Sequence, residues 1–169
     1  SGTSDKGKIL FSDGTSGDAE FRGYLQYQHS DNVLRFGTDA VERARIDSSG
    51  RLLIGFTSAR ANFFNASDSP KLQLESTSFV GSALSVVRNV NSAAGGGFVL
   101  GKTRGTSVGS NTVVQNGDAL GQISFQGADG SEMVEAARIT AAVDSTPGAN
   151  DMPGRLGFAV TSDGNSSTT

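Results

Sequence analysis

Residues 42–54 read Glu42-Arg-Ala-Arg-Ile-Asp-Ser-Ser-Gly-Arg-Leu-Leu-Ile54, and their reading decides the fold. Ala44 and Ile46 alternate with charged neighbours, Asp47-Ser-Ser-Gly50 supplies a turn, and Leu52, Ile54 and Phe56 again share one face. Side chains two apart in a strand point the same way, so this is a β-hairpin, with Gly50 free to take the left-handed conformation its turn needs. The phrase recurs: Glu135-Ala-Ala-Arg138-Ile139-Thr and Gly154-Arg155-Leu156-Gly-Phe158 repeat its ends around a longer insert. Each copy also follows a similar opening, Gly23-Tyr-Leu25-Gln-Tyr27-Gln against Gly121-Gln-Ile123-Ser-Phe125-Gln. Such self-similarity marks repeat or fibre architecture more than an enzyme pocket.

Working outward, Leu25 and Tyr27 share a face, Ser30-Asp31-Asn32 turns the chain, and Leu34 and Phe36 resume it, giving a second hairpin. Further strands are expected at 8–11, 71–75, 83–88, 98–101, 112–115, 121–126, 136–142 and 155–161. The pattern lapses between Thr57 and Ser69, which places a boundary near 57–70 between a first β module, 1–60, and a second, 61–169. Residues 129–140 read two ways. Asp129-Gly-Ser-Glu132 resembles a helix capping box, whereas the equivalent of 135–139 at 42–46 leads into a hairpin, which favours a strand.

Only 36% of the 169 residues are hydrophobic, which limits the private core one chain can bury. Fourteen basic and seventeen acidic residues are interspersed, without the basic stripe that nucleic acid requires. No apolar run approaches a membrane span, so no membrane insertion is expected. The absence of cysteine excludes disulfides and thiolate metal sites.

The stretch Arg43-Ala-Arg-Ile-Asp-Ser-Ser-Gly-Arg-Leu-Leu-Ile-Gly-Phe-Thr-Ser58, followed by Ser69-Pro-Lys-Leu-Gln-Leu74, resembles the tail fibre proteins of tailed bacteriophages, in which similar phrases recur along the distal fibre. Phe125-Gln-Gly-Ala-Asp-Gly130, Ala137-Arg-Ile-Thr140 and 147–156 resemble them too, so the likeness spans most of 20–164. The loop carrying Phe56 and the long run before Pro70 depart from the usual shorter pattern. The resemblance implies a virion location and parallel homotrimers with shared β cores. Many relatives continue past the equivalent of 162–169 and carry a self-cleaving C-terminal chaperone, so the chain reads as a fragment of a longer fibre. The expected fold is therefore all-β: tandem small modules of short antiparallel strands, intertwined in a homotrimeric fibre. Its expected role is structural and adhesive, not enzymatic. Expected partners are sibling chains, other fibre segments, and a bacterial surface glycan or outer-membrane receptor. A polysaccharide depolymerase and a purely structural trimerisation module are the alternatives.

Tyr24, Tyr27, Phe63 and Phe64 are the aromatic candidates for glycan contact, against the alternative that they fill interfaces. His29 is the sole histidine. It excludes a Ser-His-Asp triad with a spare base, and only three copies on a threefold axis would form a metal site, so no metal and no cofactor are expected. Asp129, Glu132 and Glu135, like Asp144, Asn150 and Asp151, read first as turn residues, since no calcium loop motif is present. Gly96, Gly101, Lys102 and Thr103 match the phosphate-loop spacing, but the sequence after Thr103 is a poor helix start and the match is accidental. Arg43, Arg45 and Arg138 beside Glu42 and Glu135 suit inter-subunit ion pairs that fix register, or exposed strand charges that discourage edge pairing.

Overall fold

The computed structural model describes residues 5–63 and 68–166. The chain is all-β, with two sheets and two short 3-10 turns, Gly17–Phe21 and Val80–Ser82. Its contacts define two compact units. One comprises the chain up to residue 61 together with 69–85, and the other comprises 62–63, 68 and the chain from 86 on.

The first unit is a six-stranded sheet whose strands lie side by side in chain order: β1 (Lys6–Phe11), β2 (Gly23–Gln28), β3 (Val33–Thr38), β4 (Val41–Ile46), β5 (Leu52–Ile54) and β6 (Leu72–Leu74). Both expected hairpins are present. Asn32 and Gly50 take positive φ in their turns, and the Asp47 carboxylate gathers the Ser49 and Arg51 amides. A third, unforeseen hairpin joins β3 to β4 through Asp39 and Ala40, both left-handed, at φ 53° and 59°. The last pair departs from the expected antiparallel pattern, because β6 runs parallel to β5. A parallel neighbour needs a crossover, and residues 55–71 supply it. The long run before Pro70 therefore lies inside this connection, which returns residues 72–74 to the first sheet.

The second unit is a three-stranded antiparallel sheet, β7 (Ala119–Ala128), β8 (Met133–Val143) and β9 (Gly154–Val160). The ambiguous stretch is strand: Asp129 accepts hydrogen bonds from the Ser131 and Glu132 amides, so the capping-box residues close a β-turn.

Three expected strands, 83–88, 98–101 and 112–115, form no ladder. From residue 86 to 103 no hydrogen bond between main-chain groups is made among the described residues, although Val87, Phe98 and Val99 are among the most exposed apolar side chains. The period-two pattern is strand-like, yet none of the edge strands pairs with it.

Alternation along paired strands sorts each sheet into two faces. In the first, Ile9, Phe11, Leu25, Tyr27, Leu34 and Phe36 begin an apolar face that continues through β4, β5 and β6. The opposite face carries Lys8, Gln26, Arg35, Arg45, Leu53 and Gln73 in one row across all six strands. Burial runs opposite to ordinary expectation. Gln26, Gln28, Val33, Leu53 and Gln73 are buried, all on the polar face, whereas Ile9 is 58% and Phe11 65% exposed. Gln73 is held by loop carbonyls, donating to Arg60 and Pro70 while its own oxygen accepts from the Arg60 amide. The second sheet repeats the inversion in part: Glu135 is 1% exposed, while Leu156, Phe158 and Val160 project outward at 62–75%, although Val143 on their face is fully buried and Leu100 lies against Gly121 there.

Candidate functional site

The repeated phrase is a repeated structure. In β4 a bulge opposite Phe36 and Gly37 skips one residue, and in β8 a bulge opposite Phe125 and Gln126 does the same. Residues three apart on a regular strand face opposite ways; the extra residue returns them to one side. Glu42 thereby reaches Arg45, whose Nη2 donates to Glu42 Oε2 at 2.8 Å. Glu135 lies 3.6 Å from Arg138 Nε and accepts from the Ser124 hydroxyl at 2.7 Å. Within the chain, Glu42 thus pairs with Arg45 of its own strand and with Arg35 across it, Glu135 pairs with Arg138, and Arg43, the skipped residue, donates to the Thr38 hydroxyl.

Register also corrects the alignment of the two copies. The strand that pairs with β4 as β7 pairs with β8 is β3, not β2: Leu34, Arg35 and Phe36 face Ile46, Arg45 and Ala44, as Ile123, Ser124 and Phe125 face Ile139, Arg138 and Ala137. The hairpin ends match as the sequence indicates. Arg51 Nε donates to Asp47 at 2.7 Å, and Arg155 Nη1 to Asp144 at 2.6 Å. Burial works against ionisation of Asp47, but the Arg51 amide and guanidinium and the Ser49 amide outweigh it and hold the carboxyl below its ordinary range. In the second copy the hairpin is extended by Thr140–Val143, four residues, an even number that preserves every face.

The aromatic candidates separate. Tyr24 and Tyr27 are three apart on a regular strand, so they take opposite faces. Tyr24 lies across Gly37, where an added Cβ would sit 2.1 Å from its ring. Burial, and then the Glu42 carboxylate, push its phenol above the ordinary value. Tyr27 stands on the apolar face, its hydroxyl donating to Asn32 at 2.9 Å and its ring edge-on to the exposed His29 at 5.0 Å. Phe63 belongs to the second unit, where it bridges to Asp68, and Phe64 lies outside the described residues.

Acidic candidates are engaged in turns and pairs: Asp129 as above, Asp144 with Arg155, and Asp151 in reciprocal main-chain bonds with Gly148. Among the described residues no His, Asp or Glu side chains cluster as metal ligands would. Thr103 donates to the Thr112 carbonyl, and the residues after it turn without forming a helix. A recess of about 540 Å³ lined by residues from Gly55 to Thr77 holds Arg60 and Glu75, which satisfy each other.

Two kinds of surface therefore stand out. One is the pair of apolar sheet faces, largely exposed in the first sheet and partly covered by Leu100 in the second. The other is the charged row on the polar face of the first sheet. No protein-family model matches the chain, and no curated protein matches its sequence.

Proposed function

We propose that the chain is a structural and adhesive segment of a bacteriophage tail fibre, acting as a parallel homotrimer whose apolar sheet faces meet in a shared core. The observation that carries this reading is the inversion of burial: in the first sheet the buried side chains lie on the polar face while the apolar face stays largely exposed, and in the second Leu156, Phe158 and Val160 stand exposed on the apolar face. A sibling chain supplies an equivalent face, which is the simplest complement for a surface of this size.

Area supports the same reading. The chain exposes 11661 Å², whereas two separate globules of half its 17.3 kDa mass would together expose about 9,400 Å². The excess, about 2,000 Å², is of the size that permanent subunit interfaces bury. The unpaired segment 86–103 adds to it, since its backbone is free to extend a sibling's sheet by strand addition. The resemblance of the repeated phrases to fibre proteins supplies the biological setting, in which three weak glycan contacts on one stalk gain avidity.

Light scattering coupled to size exclusion tests the assembly, with resistance to mild SDS as a second readout. A mass three times that of one chain is the expected result. A folded monomer at micromolar concentration sinks the shared-core reading.

A further inference from the structure

The polar face of the first sheet holds a cleft of about 230 Å³ that the ion pairs do not fill. Its floor is the start of the cross-strand row: Lys8 opposite Gln26, and Gln26 opposite Arg35. Adjacent strands lie about 4.8 Å apart, so these side chains span about 10 Å. Lys6 stands two residues from Lys8 on the same side, while Leu10, Phe21 and Tyr24 form an apolar wall.

Two features mark the floor as unfinished. Gln26 is only 8% exposed, and its amide makes no side-chain hydrogen bond among the described residues. Arg35 donates through Nη2 to Asp31 at 2.9 Å, yet its buried Nε has no hydrogen-bond partner, with Glu42 Oε2 held off at 3.6 Å. Buried polar groups are nearly always satisfied, so the unpartnered Arg35 Nε is an exception, and beside it the Gln26 amide and the two lysines offer further donors to an acceptor in the cleft. Lys6 and Lys8 also form no ion pair among the described residues, and both charges stand ready at the mouth.

We infer that this cleft binds the carboxylate of an acidic sugar. The carboxylate pairs with the Arg35 guanidinium and accepts from the Gln26 amide and the Lys8 ammonium, while the apolar side of the pyranose ring packs on Tyr24 and Phe21. Charge-assisted bonds from three directions orient the acid group, and the small volume limits the site to one sugar unit. The inference rests on the adhesive part of the proposed function and not on its trimer, because the cleft lies on the face opposite the apolar one.

Titration of the full chain, followed by amide NMR, tests it with three probes: sodium glucuronate, glucose and sodium phosphate. Saturating shifts at the Gln26 side-chain amide with glucuronate, and none with glucose, are expected. The double variant Lys6→Gln, Lys8→Gln, which changes exposed residues only, should weaken glucuronate at least about tenfold and leave distant resonances in place. Absence of a saturating shift, an equal response to phosphate, or an unaffected variant overturns the proposal. If the chain still retains bacterial polysaccharide on a column while the cleft ignores glucuronate, the site is wrong and the adhesive reading survives. If glucuronate binds a monomeric chain, the site stands without the trimer.

Discussion

The two copies of Glu-x-x-Arg-Ile differ in where their charges end up. In β4 the Glu42 carboxylate is 17% exposed and shared between Arg45 and Arg35, part of a row that crosses the six-stranded sheet. In β8 the Glu135 side chain is 1% exposed, and the Ser124 hydroxyl and Arg138 hold it on a sheet half as wide. What the copies share is the bulge, which aligns acid and base on one face, and the Ile that follows on the other. The motif is thus an instruction for strand geometry: polar side toward the chain's own loops, apolar side outward.

The apolar half of that instruction yields the largest expected effect. Ile46→Asp places a charge on the exposed apolar face of the first sheet and Ile139→Asp on the partly covered one of the second, and each should reduce a threefold mass to that of one chain in light scattering. If one copy tolerates the charge and the other does not, only one sheet belongs to the shared core. The acidic half should separate the copies. Glu135→Gln leaves Arg138 facing a neutral amide in a buried setting and should cost about 3 kcal/mol, whereas Glu42→Gln, with more solvent nearby, should cost about 1 kcal/mol. Urea unfolding of both variants measures the difference, and equal costs would mean that burial does not distinguish the two pairs. The smallest effect concerns the turns that precede the motif. The second copy has Gly130 at φ 104°, while the first forces Ala40 to φ 59°. Ala40→Gly should therefore raise stability by up to about 1 kcal/mol, offset in part by the freedom glycine gains when unfolded. A loss in the melting curve would show that Ala40 contributes packing worth more than its strain.

Much of this arrangement was legible in the residues. Period-two alternation at 42–54 and the Asp47-Ser-Ser-Gly50 turn specify their hairpin locally, so the reading needs no tertiary information. Residues 83–88 and 98–101 were read as strands too, yet form no ladder, because a strand also needs an edge and alternation says nothing about where that edge is. The inter-strand match of β3 with β7 was hidden for a related reason: register depends on bulges, and no single residue type announces one. The separation of Tyr24 from Tyr27 was readable, since an odd spacing on a regular strand puts side chains on opposite faces. The cleft floor was not, because Lys8, Gln26 and Arg35 come from three strands and meet only through cross-strand pairing.

In the first sheet each strand is hydrogen-bonded to its sequence neighbours, and this order has a kinetic meaning. Hairpins of adjacent strands close short loops, so each sheet can form quickly and without help from another molecule. In the proposed assembly the apolar faces then wait for an encounter whose rate depends on concentration. During that interval the folded chain is at its stickiest, more exposed to wrong partners than a monomer built around its own core. Chains made close together, or held together by a neighbouring part of a longer polypeptide, would shorten the wait, and yield on refolding should rise when siblings are tethered and fall when they are diluted.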